Sequence, residues 1–143
     1  MAFVAGMTDK AVNRQRVLVV EDDAKTRERV GEALAQAGFG PTLAGTGEQG
    51  LLLLREWPRR MDWLYSKTEL PGLVDGWILA DEFHQAHPSR PVVYGVPANG
   101  KRLARGKDIV LETPVPPMKV AEGLLRLSQN EKVPASEVMR WAA

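Results

Sequence analysis

The sequence contains no cysteine, which excludes disulfides, thiol catalysis and zinc–thiolate sites from its chemistry. It also lacks an excess of one charge, because 19 Lys and Arg stand against 18 Asp and Glu. That balance predicts neither a nucleic-acid partner nor a membrane partner. Residues 1–7 are apolar but have no preceding basic region, and no apolar run reaches membrane-spanning length. We therefore expect a cytoplasmic protein.

The sequence does contain short apolar runs that alternate with amphipathic segments, and 143 residues suit a single domain. Five runs predict strands: residues 16–20, 41–45, 62–66, 91–96 and 108–112. Four segments predict helices: one that ends near Gly38, residues 47–57, residues 75–87, and one that begins at Pro116-Pro117. This order predicts an α/β fold, a doubly wound five-stranded parallel sheet with helices on both faces. The expected domain covers residues 16–128, with an N-terminal extension over 1–15 and a C-terminal tail over 129–143.

Charged residues follow the first and third predicted strands, where the functional crevice of such sheets lies. Glu21, Asp22 and Asp23 come directly after the first strand, and Lys67 leaves the third. Neighbouring carboxylates repel one another and need a cation nearby. The three acids are compatible with a Mg²⁺ site. They are also compatible with a helix N-terminus that Asp23 caps.

Several motifs together resemble the receiver domain of bacterial two-component response regulators. They are RVLVVEDD at 16–23, LPGLVDG at 70–76, PVVY at 91–94 and TPV at 113–115. The resemblance covers residues 16 to 127 and implies a flavodoxin-like sheet with strand order 2-1-3-4-5. The short segment between the fourth and fifth strands implies a short or irregular fourth helix.

A typical receiver accepts a phosphoryl group on an Asp at the end of its third strand. Carried over by position, Glu21 and Asp22 match the acids that hold Mg²⁺, and Lys67 occupies the phosphoacceptor position. A shift by one residue would place Ser66 or Thr68 there, and neither is a carboxylate. The resemblance therefore implies a degenerate acidic pocket, made by Glu21, Asp22 and Asp23, without the phosphoacceptor.

The switch positions of the family are also substituted. The Ser/Thr position falls on Val96, the aromatic position on Val110 and the lysine position on Thr113. A single engineered Asp-to-Lys replacement at residue 67 would leave these other substitutions unexplained. The resemblance also makes the bond before Pro114 a candidate cis peptide, although X–Pro bonds are mostly trans.

We expect Lys67 to point at Glu21 and Asp22 as a built-in cation that replaces Mg²⁺. The alternative is that its flexible side chain extends into solvent. The expected function is a stand-alone, phosphorylation-independent protein-binding adaptor with no catalytic residue, no metal ligand and no cofactor. Its expected partner is a sensor histidine kinase or another response regulator, with a homodimer as a further option. The alternative function is a phospho-accepting receiver that uses a non-standard acceptor and Mg²⁺.

Overall fold

The structure is a computed structural model that describes residues 14–100 and 102–132. It contains five strands: β1 Arg16–Val20, β2 Gly40–Ala44, β3 Trp63–Lys67, β4 Val93–Val96 and β5 Ile109–Glu112. It contains four helices: α1 Ala24–Gln36, α2 Gly47–Glu56, α3 Gly76–Ala86 and α4 Pro117–Lys132. The strands form one parallel sheet in the order β2-β1-β3-β4-β5, which confirms the predicted fold.

Both faces of the sheet are covered, because side chains on successive strand residues point to opposite faces. Val17 and Val19 of β1 pack in the cluster that α1 and α4 cover, and Leu18 and Val20 pack in the cluster that α2 and α3 cover. All four side chains are fully buried. Removing a Val or Leu side chain from water contributes roughly 1.5–3 kcal/mol. The apolar run at β1 therefore anchors the strand end where the acids begin.

The crossover from β4 to β5 differs from the prediction. We expected a short or irregular fourth helix there, whereas the described residues between the two strands form turns and irregular backbone without a helix. Pro97 and Gly100 lie in the first turn, and Gly106 adopts a φ of +57° in the second. Proline, glycine and a left-handed backbone position all oppose helix formation over so few residues.

The final helix is longer than expected. The predicted tail begins at residue 129, yet α4 continues to Lys132, so the polar residues after Leu127 extend the helix rather than a linker. The remaining parts of the two predicted extensions, 1–13 and 133–143, lie outside the described residues. No helix in the described part of the chain is long and apolar enough to cross a membrane.

Candidate functional site

The side chain of Lys67 points at the acids that follow β1. Its Nζ lies 2.8 Å from Asp22 Oδ1 and 3.5 Å from Glu21 Oε2. Val20 pairs with Ser66 across the neighbouring parallel strands, so the residues that follow them leave the sheet at one edge. This geometry confirms the predicted ion pair. We call the group formed by Glu21, Asp22 and Lys67 the acidic corner.

The two carboxylates of the acidic corner differ in environment. Glu21 is only 3% exposed, and its Oε2 accepts a hydrogen bond from the Asp23 N–H at 2.9 Å. Burial raises the pKa of Glu21, and the Asp23 N–H and Lys67 oppose that rise only in part. The hydrogen bond from Lys67 holds the pKa of Asp22 below its ordinary value. Asp22 is therefore the main partner of the lysine.

Lys67 remains a cation in this environment. Burial alone would lower its pKa, but the hydrogen bond to Asp22 and the charges of both carboxylates outweigh that effect and raise it. Its side chain is 25% exposed, so water still screens the pair in part. The corner thus holds one ammonium group against two carboxylates.

Asp23 belongs to the helix start rather than to the acidic corner. Its Oδ2 accepts hydrogen bonds from the Thr26 N–H at 2.9 Å and from the Thr26 hydroxyl at 2.7 Å. These contacts cap α1 and hold the pKa of Asp23 below its ordinary value. From the sequence, Asp23 is predicted both as part of the acidic pocket and as a helix cap. The structure assigns its carboxylate to the cap.

The residues of the acidic corner do not fit a magnesium ion. Mg²⁺ prefers octahedral oxygen ligands and carries its own double charge. An ion that contacted both Glu21 and Asp22 would lie against the Lys67 ammonium, which contacts both already. Within the described part of the chain, no group of three or more His, Cys, Asp or Glu residues is arranged to hold a metal.

The histidines of α3 contact backbone carbonyls. The Nε2 of His84 lies 2.9 Å from the Arg90 carbonyl oxygen, and the Nε2 of His87 lies 2.9 Å from the Met61 carbonyl oxygen. These contacts join the end of α3 to the loops before β3 and β4. The contacts with backbone carbonyl oxygens therefore give both imidazole rings a structural role.

The three substituted switch positions lie at or near the ends of β4 and β5. Val96 is fully buried, and Val110 packs against the same core cluster. The Thr113 N–H donates to the Val96 carbonyl at 3.0 Å, and the Thr113–Pro114 peptide bond is cis. None of these side chains brings an ammonium group or an aromatic ring to the corner.

Ser66 and Thr68, the neighbours of Lys67, are buried. The Ser66 hydroxyl donates to the Lys67 carbonyl at 2.7 Å, and the Thr68 hydroxyl donates to the Gly95 carbonyl at 3.4 Å. Both hydroxyls are therefore occupied by the backbone. Lys67 is the residue of this segment whose side chain contacts Glu21 and Asp22.

Two glycines shape the chain after β3. Gly72 has a φ of +95°, a conformation that favours glycine, and the next N–H, of Leu73, donates to Glu48 Oε2 at 2.9 Å. Gly76 begins α3, and a Cβ at this position would collide with the carbonyl oxygen of Lys67. The start of α3 is thus packed directly on the backbone of the lysine.

Tyr65 is a residue of this region that the sequence analysis did not single out. It is fully buried, and its hydroxyl has no hydrogen-bond partner among the described residues. Burial raises its pKa, and the charge of Glu21 adds to the rise. A Cβ on Gly95 would lie 2.8 Å from this hydroxyl, so glycine in β4 leaves space for it. No sequence signal marked it, because tyrosine is common in buried strands.

Comparison with solved structures supports the receiver fold. A response regulator receiver protein from Sinorhizobium medicae WSM419 superposes with a TM-score of 0.70 and 20% identity, over 81% of this chain and 95% of the other. The signal receiver domain of an HD domain-containing protein from Pseudomonas fluorescens Pf-5 gives 0.69 and 20%, over 85% and 99%. The receiver domain of the hybrid histidine kinase CckA gives 0.62 and 24%, over 78% and 97%.

Sequence comparison adds nothing to this likeness. No family model matches the chain, and no curated protein matches it. At identities below 25% the structural similarity shows the fold alone.

Proposed function

We propose that this chain is an adaptor of two-component signalling that binds proteins without being phosphorylated. The observation that supports it best is the position of Lys67 Nζ, 2.8 Å from Asp22 Oδ1 and 3.5 Å from Glu21 Oε2. An ammonium group at the position of the acceptor carboxylate cannot form an acyl phosphate. The proposal therefore includes no enzymatic activity and no Mg²⁺ cofactor.

The substituted switch positions support the same function. Phosphoryl transfer depends on positioning and on neutralising the charge of the transferred group. Val96 is apolar and buried, and Thr113 has no positive charge to offer. A phosphoryl group at this strand end would therefore lack both contacts that a typical receiver provides.

The proposed partners are proteins of the same signalling systems, a sensor histidine kinase or another response regulator. The support is the receiver fold together with the hybrid histidine kinase whose receiver domain has a similar structure. A homodimer is a further option, and the proposed location is the cytoplasm. Because the Lys67 ion pair lies within one chain, we propose that the binding conformation is fixed rather than switched by phosphate.

The proposal is tested by incubating the chain with acetyl phosphate and Mg²⁺ and measuring its intact mass. We expect no added phosphoryl group, which would appear as an increase of about 80 Da. The matched positive control is the triple variant Lys67→Asp, Val96→Thr, Thr113→Lys, which restores the carboxylate, hydroxyl and ammonium. We expect measurable phosphoryl incorporation only in that variant.

The alternative function makes the opposite prediction. A stoichiometric, hydroxylamine-labile adduct on the unmodified chain would overturn the adaptor proposal and support a phospho-accepting receiver with a non-standard acceptor. Binding to a purified candidate histidine kinase provides a second criterion. We expect the same affinity with and without acetyl phosphate, and a change in affinity would argue for a phosphate-dependent switch.

A further inference from the structure

A cavity of about 730 Å³ opens between α3 and the segment that joins β4 to β5. Parallel strands are usually joined by a crossover helix that covers the sheet. Here the described residues of the crossover contain turns and irregular backbone, and a cavity remains between them and α3. The residues that line the cavity include Trp77, Asp81, Tyr94, Arg102, Arg105 and Lys107.

Two aromatic rings form one wall of the cavity. The ring centroids of Trp77 and Tyr94 are 4.5 Å apart, with an angle of 43° between the ring planes. Tyr94 is only 3% exposed, and Trp77 is half-buried. Their mutual packing fixes both rings, so a planar ligand would meet a wall that is already ordered.

The segment that joins β4 to β5 brings positive charge to the cavity lining. Arg102, Arg105 and Lys107 are exposed and line the cavity, and none of them forms an ion pair with a carboxylate of the described residues. Asp108 also lines the cavity, and its carboxylate accepts hydrogen bonds from the Val92 and Arg105 N–H groups at 2.9 Å each. The three cations of this segment are therefore available to a ligand that enters the cavity.

Asp81 supplies a polar group on the α3 side of the cavity. A carboxylate accepts hydrogen bonds and cannot donate them when ionised. It would suit the amino group of a heteroaromatic ring and would repel a phosphate. The cavity lining therefore combines an aromatic pair, a carboxylate acceptor and cations.

We propose that this cavity binds a small anionic ligand with a planar heteroaromatic ring, of the nucleotide class. Its ring would pack against Trp77, and its phosphate groups would contact Arg102 and Arg105, because guanidinium groups bind phosphate well. Ligand pockets commonly enclose about 300–1,000 Å³, which includes the volume observed here. The site is separate from the acidic corner and does not depend on the adaptor proposal.

The experiment is isothermal titration calorimetry of the full chain with ATP, GTP, adenosine and inorganic tripolyphosphate. We expect saturable binding of ATP or GTP. Adenosine lacks phosphate, and tripolyphosphate lacks a ring. We expect each to bind with an affinity at least about tenfold lower, since a stacked base contributes on the order of 1–3 kcal/mol. Absence of saturable binding by either nucleotide at low-millimolar concentration, or equal affinity for tripolyphosphate, would overturn the proposal.

Variants locate the site. The double variant Arg102→Gln, Arg105→Gln should weaken nucleotide binding about tenfold or more, because both removed charges are exposed contacts for phosphate. Trp77→Leu should weaken it about tenfold through loss of stacking. The matched control is Arg29→Gln, an exposed arginine of α1 on the other face of the sheet, which should bind as the unmodified chain does.

The control also separates a site from general surface charge. If Arg29→Gln weakens binding as much as the double variant does, the nucleotide binds through net charge and the proposed site is wrong. If Trp77→Leu does not fold, the exposed arginine pair still tests the cavity. Unchanged nucleotide affinity in the arginine double variant would also overturn the proposal.

Discussion

The acidic corner and the cavity beside α3 contain charges that are satisfied in opposite ways. At the corner, Lys67 lies within ion-pair distance of both Glu21 and Asp22. In the cavity, Arg102 and Arg105 have no carboxylate partner among the described residues. A charge balanced inside the chain stabilises a conformation, whereas an unbalanced charge at a cavity can bind a ligand. The proposed ligand site therefore lies apart from the acidic corner.

Helix α3 connects the two regions. Its first residue, Gly76, packs on the Lys67 carbonyl, and the Gly76 N–H donates to the Thr68 carbonyl at 3.1 Å. The next residue, Trp77, lines the cavity. A displacement of the Lys67 backbone would therefore move Gly76 and, with it, the neighbouring Trp77. This contact is backbone against backbone, so a side-chain change at Lys67 can leave it intact.

The largest expected effect comes from reversing the charge at the corner. Lys67→Asp would place three carboxylates together without a cation, and we expect a loss of about 1–3 kcal/mol in the free energy of unfolding at neutral pH. Mg²⁺ should then stabilise the variant far more than the unmodified chain, since an ion that binds only the folded state adds stability by mass action. The measurement is the melting temperature of both proteins with and without Mg²⁺.

Lys119→Asp is the matched control, because Lys119 forms an exposed ion pair with Glu122 at 3.5 Å on α4. It should change stability by less than about 1 kcal/mol and show no response to Mg²⁺. If Lys67→Asp melts like the unmodified chain and ignores Mg²⁺, then the lysine does not face Glu21 and Asp22, and the described corner is wrong.

A smaller effect is expected from removing the charge alone. Lys67→Met should cost about 1 kcal/mol at neutral pH, at the upper end of the range for exposed pairs, because the corner is only partly buried. The pKa of Asp22 is lowered in the folded state, so its contribution is present above its ordinary value of 3.8 and is lost as the pH falls. The pKa of Lys67 is raised, so its contribution is present below 10.5 and is lost as the pH rises through the raised value.

Glu21 affects the stability of the folded state in the opposite sense to Asp22, because its pKa is raised rather than lowered. Burial raises its pKa, so its ionised form opposes folding above its ordinary value of 4.5, and Lys67 offsets that cost. The stability difference between the unmodified chain and Lys67→Met should therefore be largest between about pH 5 and 10 and should shrink at both ends. Urea unfolding at several pH values measures it, and a difference that stays constant from pH 3 to 8 would contradict the ion pair.

Much of the fold follows from local sequence patterns. The β-branched run at β1 predicts a strand buried on both faces, and Asp75 before an amphipathic segment predicts the start of α3, which it caps through the Ile78 N–H. The β4–β5 crossover was harder, because a short segment with Pro97 and Gly106 does not reveal how its turns pack. The end of α4 was missed because its last residues are polar and resemble a linker.

The acidic corner was predictable because few positions decide it. The LPG turn fixes the register of Lys67, and parallel pairing of β1 with β3 then brings it to Glu21. The cavity was not predictable from the sequence, since Trp77, Tyr94 and Arg105 lie on three separate segments without a shared motif. These residues come together because the described residues between β4 and β5 form no helix, and this is seen only in the tertiary structure.

The smallest expected effect concerns Tyr65, whose side chain is fully buried. Tyr94, by contrast, lines the cavity beside α3. The buried Tyr65 hydroxyl has no partner among the described residues, and an unsatisfied buried hydroxyl destabilises the folded state. We expect Tyr65→Phe to leave the free energy of unfolding unchanged or to raise it by up to about 1 kcal/mol. Tyr94→Phe, the matched control, should change it by less than about 0.5 kcal/mol, because among the described residues only the Tyr65 hydroxyl is a buried side-chain polar atom without a partner. Urea unfolding of both variants measures the contrast, and a loss above about 1 kcal/mol in Tyr65→Phe would mean that the hydroxyl is hydrogen-bonded in the folded protein.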